Sequence, residues 1–452
     1  MSFMMAFGWA SLMLCIGVLL RAKIPFLRNM LVPASVIAGI IGLIFMNVFD
    51  AVGVSVGTDY DMFTTIVNNL FTVSFISISL TSTPKGEGNS TKNTVHGAIG
   101  MGLVWCLLYG LTPIIASGIV ALTGSGLEMD SIYGMLVQFA FCQGPGQSAS
   151  FGALFESYGW ENASTVAMMF ASVGFIAAFL VGIPAAKAGI KRGLAKHSGK
   201  IDEKVLKGYL KKDEQTELTT KDTTVNSNIE TLAFHFALIG ICYLLAVLIA
   251  KIFSYLPSFL GSSMSGMMFM NGMYAAYIVK FIMKKLHIDF LQDNVLQTKI
   301  TGWTADYLVV CAFMAVALSV IKQWLAPILI VCVVITLITF AVCFYFGQRM
   351  GGSNDFERTL GMYGMCTGTV PSGVALVRII DPNFKTSTSV ELGACNLTML
   401  ACTPVYIIIL AYASGTVGTW VTTGVLAACC VVYLILLKVT KCWNKKTYTW
   451  KQ

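Results

Sequence analysis

Two short segments rich in glycine, proline and hydroxyl side chains interrupt apolar stretches of the sequence. The first tip, as we call it, is Gly144-Pro-Gly-Gln-Ser-Ala-Ser150, and the second tip is Thr367-Gly-Thr-Val-Pro-Ser372. A helix broken inside a bilayer leaves backbone carbonyls free for a cation and N–H groups free for an anion. Sodium is a hard cation that prefers carbonyl and hydroxyl oxygens. The two tips therefore predict a site for a sodium ion and a small anion.

Side chains of the two tips are expected to meet, with the cation and the anion between them. The residues predicted to contact the anion are Gly144, Gly146, Gln147, Ser148, Ser150, Gly368, Thr369, Pro371, Ser372 and Arg378. The residues predicted to contact the sodium ion are Asn68, Ser148, Asp306, Thr367, Thr369 and Asn396. For either tip alone, the alternative is an interhelical kink whose hydroxyls bond back to the backbone.

Ionisable residues within apolar segments are expected to be functional, because burying a charge is costly. Asp306 can hold a cation or a proton; alternatively, it lies close enough to a helix end to reach the membrane surface or cap the helix. Arg378 follows the second tip by two helical turns, and a guanidinium can bind a carboxylate through two hydrogen bonds. The alternative partner of Arg378 is Glu391, on the helix to which the chain returns.

The composition places these residues in a membrane protein. Hydrophobic residues make up 56% and charged residues 12% of the 452 residues, whereas a soluble domain has about 25% charged residues. The mean hydropathy is +0.75. The net charge of +8 does not indicate nucleic-acid binding, because Lys and Arg lie in short loops between apolar spans.

Other kinds of site are not indicated. The 13 cysteines lie almost all in apolar segments and the four histidines are scattered singly, so we expect no transition-metal site and no cofactor. A phosphate-binding G-x-x-x-x-G-K-[ST] motif is absent, which argues against an ATP-driven pump. The apolar segments also lack the paired carboxylates or Ser/His arrangement of an enzyme.

Apolar runs of about 20 residues predict membrane-spanning helices. The predicted spans lie near 3–20, 30–49, 61–80, 97–123, 163–186, 231–253, 264–284, 300–321, 325–346, 388–412 and 416–438. Two further apolar runs, 131–142 and 357–366, are too short to span a bilayer, and each leads into one of the tips.

The positions of the basic residues predict the orientation of these spans. The N-terminus is expected outside, and the central linker and the C-terminus in the cytoplasm. The cytoplasmic basic residues are Arg21, Lys23, Arg28, Lys85, Lys92, Lys187, Lys191, Arg192, Lys284, Lys285, Lys441, Lys445 and Lys446, while only Lys251 and Lys322 fall outside.

In this topology, 131–160 and 357–385 form re-entrant hairpins that enter the membrane from opposite sides. The predicted fold is an all-α polytopic membrane protein with two inverted repeats of five transmembrane helices, each repeat containing one hairpin. The repeats cover 1–186 and 230–412, a solvated cytoplasmic linker covers 187–229, and 413–452 adds an extra helix and a basic tail.

Local correspondences support the duplication. The segment Phe75–Leu80 aligns with Phe313–Leu318, which sets Asn68 opposite Asp306. Cys142-Gln-Gly144 in the first hairpin matches Cys366-Thr-Gly368 in the second. Each correspondence is weak alone, and together they favour an internal repeat.

The stretch from Phe155 to Gly174, FESYGWENASTVAMMFASVG, resembles the bacterial sodium:glutamate symporter family. In that family a glycine-rich re-entrant tip precedes a Tyr-Gly-aromatic-x-Asn-Ala motif. The second tip, Gly368-Thr-Val-Pro-Ser372, is similar to the family's Gly-x-x-Pro-Thr segment. The likeness covers residues 1–412, and Pro145, Gln147 and Ser148 depart from the family pattern.

The resemblance implies sodium-coupled uptake of glutamate, or a similar small anionic amino acid, by alternating access. It also implies a homodimer in the bacterial inner membrane, with the ligand bound between the tips. The alternatives within transporters are another small carboxylate as substrate and coupling to protons instead of sodium. An ion channel is the alternative from a different class of protein.

Overall fold

The computed structural model describes residues 2–29, 32–81, 91–195, 197, 222–225, 227–256, 261, 264–382 and 385–450. Within these residues the protein is helical and contains no β-strand. The principal helices are α1 (Ser2–Lys23), α2 (Ala34–Val52), α3 (Tyr60–Leu80), α4 (Thr91–Thr123), α5 (Val137–Gln143), α6 (Pro145–Ser157), α7 (Ala163–Lys191), α8 (Thr231–Phe253), α9 (Met268–Lys285), α10 (Asn294–Met314), α11 (Leu325–Gly347), α12 (Asp355–Thr367), α13 (Val370–Ile380), α14 (Thr388–Cys395), α15 (Thr403–Ala413) and α16 (Thr419–Val439).

Long apolar helices confirm a multi-span membrane architecture. In the described part of the chain, eight helices are long and apolar enough to cross a bilayer. A ninth span results if α14 and α15, which are bent by 42° at a 3₁₀ turn, cross as one unit. Most helix boundaries lie within a few residues of the predicted spans, because the apolar runs themselves set the helix lengths. The linker residues 198–221 lie outside the described residues.

Two predicted helices differ from the structure. The helix predicted at 300–321 begins at Asn294 and ends at Met314, and a short separate helix follows at Leu318–Ile321. Asn47 of α2 stabilises this break, because its side-chain amide donates to the Val316 carbonyl and its Oδ1 accepts from the Leu318 N–H. The single helix predicted at 388–412 is divided by the 3₁₀ turn Asn396–Cys402.

The two tips are helix breaks, as their glycines predict. Gly144 separates α5 from α6 with φ of +70°, a backbone conformation that only glycine adopts without strain. Pro145 begins α6, where its missing N–H costs no hydrogen bond. At the second break, α12 ends at Thr367 and α13 begins at Val370 and Pro371. Each tip therefore joins the C-terminus of one short helix to the N-terminus of another.

The helices pack in two groups. One group contains α1, α2, α3, α8, α9 and α10, and the other contains α4 to α7 and α11 to α16. The groups meet where α3 packs against α6 and where α10 packs against α6 and α7. The first tip lies at this junction, so the residues between the groups are the natural place for a ligand that both groups contact.

Candidate functional site

The two tips touch each other. A methyl group added at Gly144 would come within 2.5 Å of Thr369 Cγ2 and 3.0 Å of the Gly368 carbonyl oxygen. Two residues before Gly144, the Cys142 thiol lies 3.9 Å from the carbonyl oxygen of Cys366. These two cysteines are the pair that the sequence matched between the halves of the chain. The two tips are therefore in contact at Gly144, Gly368 and Thr369.

A cavity of about 150 Å³ opens beside this contact, between α2, α3 and α10 on one side and the tips on the other. At about 30 Å³ for each water molecule, the cavity has room for about five waters or a small organic ion. Its wall is mostly apolar. The polar side chains that line it are Ser35, Ser74, Gln143, Thr301, Asp306, Thr369 and Ser372.

Asp306 carries the only ionisable side chain among the described residues that line the cavity. It lies about three turns after the start of α10 at Asn294, so it is well inside the helix and not at its end. The hydroxyl of Ser35, at the start of α2, is its hydrogen-bonding partner. Its carboxylate is exposed to the cavity, where a cation can reach it.

Several predicted site residues line the cavity directly. The first tip contributes Gly146, and the second tip contributes Thr369, Pro371 and Ser372. Gly146 allows α6 to approach α3 closely, since an added methyl group would lie 1.9 Å from the Phe71 ring. Thr369 is the N-cap residue of α13, but its hydroxyl makes no capping bond to that helix. Its oxygen is thus available to a ligand.

Other side chains of the first tip face away from the cavity. Gln147 is fully buried, and its carbonyl oxygen accepts a hydrogen bond from the Tyr109 hydroxyl. The Ser148 hydroxyl donates to the carbonyl of Gly144 in its own helix at 3.0 Å. The Ser150 hydroxyl donates to Asn68 Oδ1 at 2.8 Å, so these two predicted residues meet each other instead of the cavity.

The remaining predicted residues occupy different surroundings. The hydroxyl of Thr367 donates to the Tyr363 carbonyl at 2.7 Å, within α12. Arg378 lies on the exposed side of α13 and does not line the cavity. The side chain of Asn396 lies outside the described residues.

The pairing considered between Arg378 and Glu391 is not formed, because Glu391 binds Arg358 of α12. Two hydrogen bonds of 2.7 Å join the guanidinium to the carboxylate, and the two side chains are 3% and 0% exposed. Arg358 also contacts Asp355 at 3.2 Å and donates to the carbonyl of Asn93 in α4. The pair thus fixes the base of the second hairpin to α14 and α4.

Arg358 was missed in the sequence because it lies in a run that reads as part of a short apolar helix. The signal that could have found it is the charge itself, since an arginine in such a run needs a buried acid as partner. Ser35, Ser74 and Gln143 were also missed. Only Gln143 had a recognisable signal, because it adjoins the first tip.

Comparison with known proteins gives two findings. Residues 1–386 match the family model described as Sodium/glutamate symporter. The chain is also similar to the sodium/glutamate symporters of Escherichia coli (strain K12) and Shigella flexneri. Each is 24% identical to it over 394 residues, which cover 84% of this chain and 88% of the relative.

Proposed function

Because the chain belongs to the sodium/glutamate symporter family, and is thus a transporter and not an enzyme, we propose that it couples the uptake of glutamate, or a similar small anionic amino acid, to sodium ions. The observation that carries this proposal is the cavity at which Asp306 and both tips converge. A multi-pass protein of this family is expected in the bacterial inner membrane.

The cation has suitable oxygen ligands on two sides of the cavity. Helices α5 and α12 end at the tips, and the last carbonyls of a helix carry partial negative charge. Asp306 supplies a full negative charge from the opposite wall, with the Ser35 hydroxyl beside it. The cavity therefore provides one carboxylate, together with neutral carbonyl and hydroxyl oxygens. These oxygen ligands favour a hard cation such as sodium.

The anionic substrate has a complementary place. Helices α6 and α13 begin at the tips, and the N–H groups of a helix N-terminus attract a carboxylate. Pro145, Pro371 and Ser372 of these two first turns line the cavity. Bound sodium adds positive charge in the same space, so each ligand makes the binding of the other more favourable. Such mutual dependence is what symport requires.

Alternating access, inverted repeats and re-entrant hairpins are part of the same proposal. The two tips that touch, the matched pair Cys142 and Cys366, and the two packed groups of helices support it. The proposal keeps the predicted repeats at 1–186 and 230–412, the linker at 187–229 and the extra helix and tail at 413–452. It also keeps the N-terminus on the outside of the membrane. A homodimer, with linker and C-terminus in the cytoplasm, completes the proposal.

The decisive experiment is uptake of radiolabelled glutamate into proteoliposomes, with and without an inward sodium gradient. Sodium-dependent accumulation that unlabelled glutamate competes supports the substrate and the ion together. Uptake of another carboxylate under the same gradient would overturn glutamate and retain the ion. Accumulation driven by a proton gradient alone would favour proton coupling, and non-saturable flux would favour a channel.

Replacing Thr369 by Val is expected to raise the half-saturating sodium and glutamate concentrations about tenfold, the effect of losing one hydrogen bond of about 1 to 1.5 kcal/mol. The variant keeps the shape of the side chain and removes its hydroxyl at the cavity. Thr369→Ser is the matched control, because it keeps the hydroxyl and should transport nearly as wild type. Equal kinetics of Thr369→Val and wild type would remove Thr369 from the site.

Gln147, Ser148 and Ser150 remain predicted ligands in the proposal only if the first tip rotates during transport. The variant Ser148→Ala tests whether the first tip rotates, because the Ser148 hydroxyl is hydrogen-bonded within its own hairpin in this conformation. Arg378 has the same standing, because it does not line the cavity in this conformation.

A further inference from the structure

The C-terminal strap, which we define as residues 441–450, crosses the base of the second hairpin. It leaves the end of α16 and runs over the segment between α11 and α12. The Asn444 N–H donates to the Arg349 carbonyl at 2.9 Å, and the Thr447 N–H donates to the Gln348 carbonyl at 2.8 Å. These two backbone bonds fix the path of the strap beside the point where α12 begins.

Two side chains of the strap bind α12 itself. The Thr447 hydroxyl donates to Asp355 Oδ2 at 2.7 Å, and the Tyr448 hydroxyl lies 2.7 Å from Thr359 Oγ1. Asp355 and Thr359 are one turn apart on the first two turns of the helix. Tyr448 is largely buried in this contact, and burial raises the pKa of its phenol well above its usual value.

The ring of Trp450 contacts both halves of the chain. The Trp450 ring packs against Phe356 and Phe344, with ring centroids 5.9 and 5.6 Å apart. The guanidinium of Arg192, just after the end of α7, lies over the same ring at 5.3 Å. The strap is therefore bonded to α12 and also rests on elements from both halves.

The contacts of the strap lie at the opposite end of α12 from the second tip. Helix α12 runs from Asp355 to Thr367, a length of roughly 20 Å, without a break. A rigid helix held at one end transmits a tilt to the other end, where the tip residues contact the first tip and the cavity. The strap also lies outside the residues 1–386 that match the family model.

We propose that the C-terminal strap is a positioning element, and that Thr447 and Tyr448 hold the base of α12 so that the second tip stays in place at the cavity. Neither residue touches the cavity, so both act through α12. Loss of their hydroxyls leaves the apolar packing of Trp450 intact but allows the helix base to move. The transport consequence of this proposal rests on the proposed function, whereas the hold on α12 does not.

The test compares the double variant Thr447→Val/Tyr448→Phe with wild type by two measurements. The first is hydrogen–deuterium exchange of peptides from α12, with peptides from α1 as an internal reference. The variant should exchange at least threefold faster in the first two turns of α12 and equally in α1. The second is uptake, in which the half-saturating sodium and glutamate concentrations should rise three- to tenfold while the maximal rate per folded protein stays within twofold.

Matched variants make the result specific. The single variant Thr447→Ser keeps the hydroxyl and should show the exchange and uptake of wild type. The single variant Thr449→Val changes a neighbouring exposed residue and should change neither measurement. Unchanged exchange in the double variant would overturn the strap's hold on α12. Faster exchange with unchanged half-saturation would overturn the positioning role. If wild type fails to take up glutamate, the proposed function fails, and the exchange comparison still decides whether the strap holds the helix.

Discussion

Replacing Asp306 by Asn is expected to raise the sodium concentration for half-maximal uptake on the order of a hundredfold. The carboxylate is the one full charge among the described residues of the cavity wall, and amide substitution removes it with little change in shape. A unit charge about 4 Å from a cation contributes up to about 4 kcal/mol near a protein surface, and solvent in the cavity reduces that value. Uptake in proteoliposomes at varied sodium concentration measures the effect.

Two control variants separate the role of the charge from other causes. Asp306→Glu keeps the carboxylate and should retain sodium dependence with weaker affinity. Asp289→Asn neutralises an exposed carboxylate before α10 and should leave uptake unchanged. If Asp306→Asn kept the sodium dependence of wild type, Asp306 would be removed from the sodium site. Loss of a dependence on the proton gradient in the same variant would make Asp306 a proton carrier.

Replacing Arg358 by Ala is expected to cost about 3 to 5 kcal/mol of stability, because it leaves the buried carboxylate of Glu391 without its partner. Arg358 and Glu391 also pack closely against Gly97 of α4, so the lost packing adds to the cost of the unpaired charge. The measurement is the thermal midpoint of the protein in detergent, together with the yield of monodisperse protein. Both should fall sharply relative to wild type.

Further variants test whether the pair, and not the arginine alone, is responsible. Arg358→Lys cannot form the two parallel hydrogen bonds and should recover little stability. Replacing both partners by apolar residues, Arg358→Met with Glu391→Leu, should be more stable than Arg358→Ala, because the Glu391 carboxylate is then not left buried without its partner. Lys299→Ala, at an exposed position of α10, is the matched control for stability. A similar loss in that variant would contradict the importance of the pair.

The sequence predicted the elements that local chemistry determines. Apolar runs predicted most helix boundaries to within a few residues, since helix length must match the bilayer. The helices at the predicted spans 264–284 and 300–321, Met268–Lys285 and Asn294–Met314, are not among the eight described helices that are long and apolar enough to cross a bilayer. The breaks at Gly144 and Gly368 followed from glycine and proline in short segments, whose conformational effects do not depend on distant partners. The family resemblance, carried by the stretch after the first tip, is confirmed by the match over residues 1–386.

What the sequence could not provide is the rotation of each helix against its neighbours. Gln147 and Ser150 belong to the first tip, yet they turn toward Tyr109 and Asn68 because packing between helices decides which face meets the cavity. The partner of Glu391 is Arg358, 33 residues away along the chain, and not the nearer Arg378 that was considered as an alternative. The break after Met314 depends on Asn47 from another helix, so no local sequence pattern predicts it.

The contact between the tips is unequal, although the halves of the chain correspond. On the first side it is made by Gly144, whose φ of +70° excludes other residues whatever the surroundings. On the second side it is made by the side chain of Thr369, in ordinary extended backbone. We therefore expect this junction to accept substitutions at position 369 and to reject them at position 144. A change of ligand preference here is open to only one of the two partners.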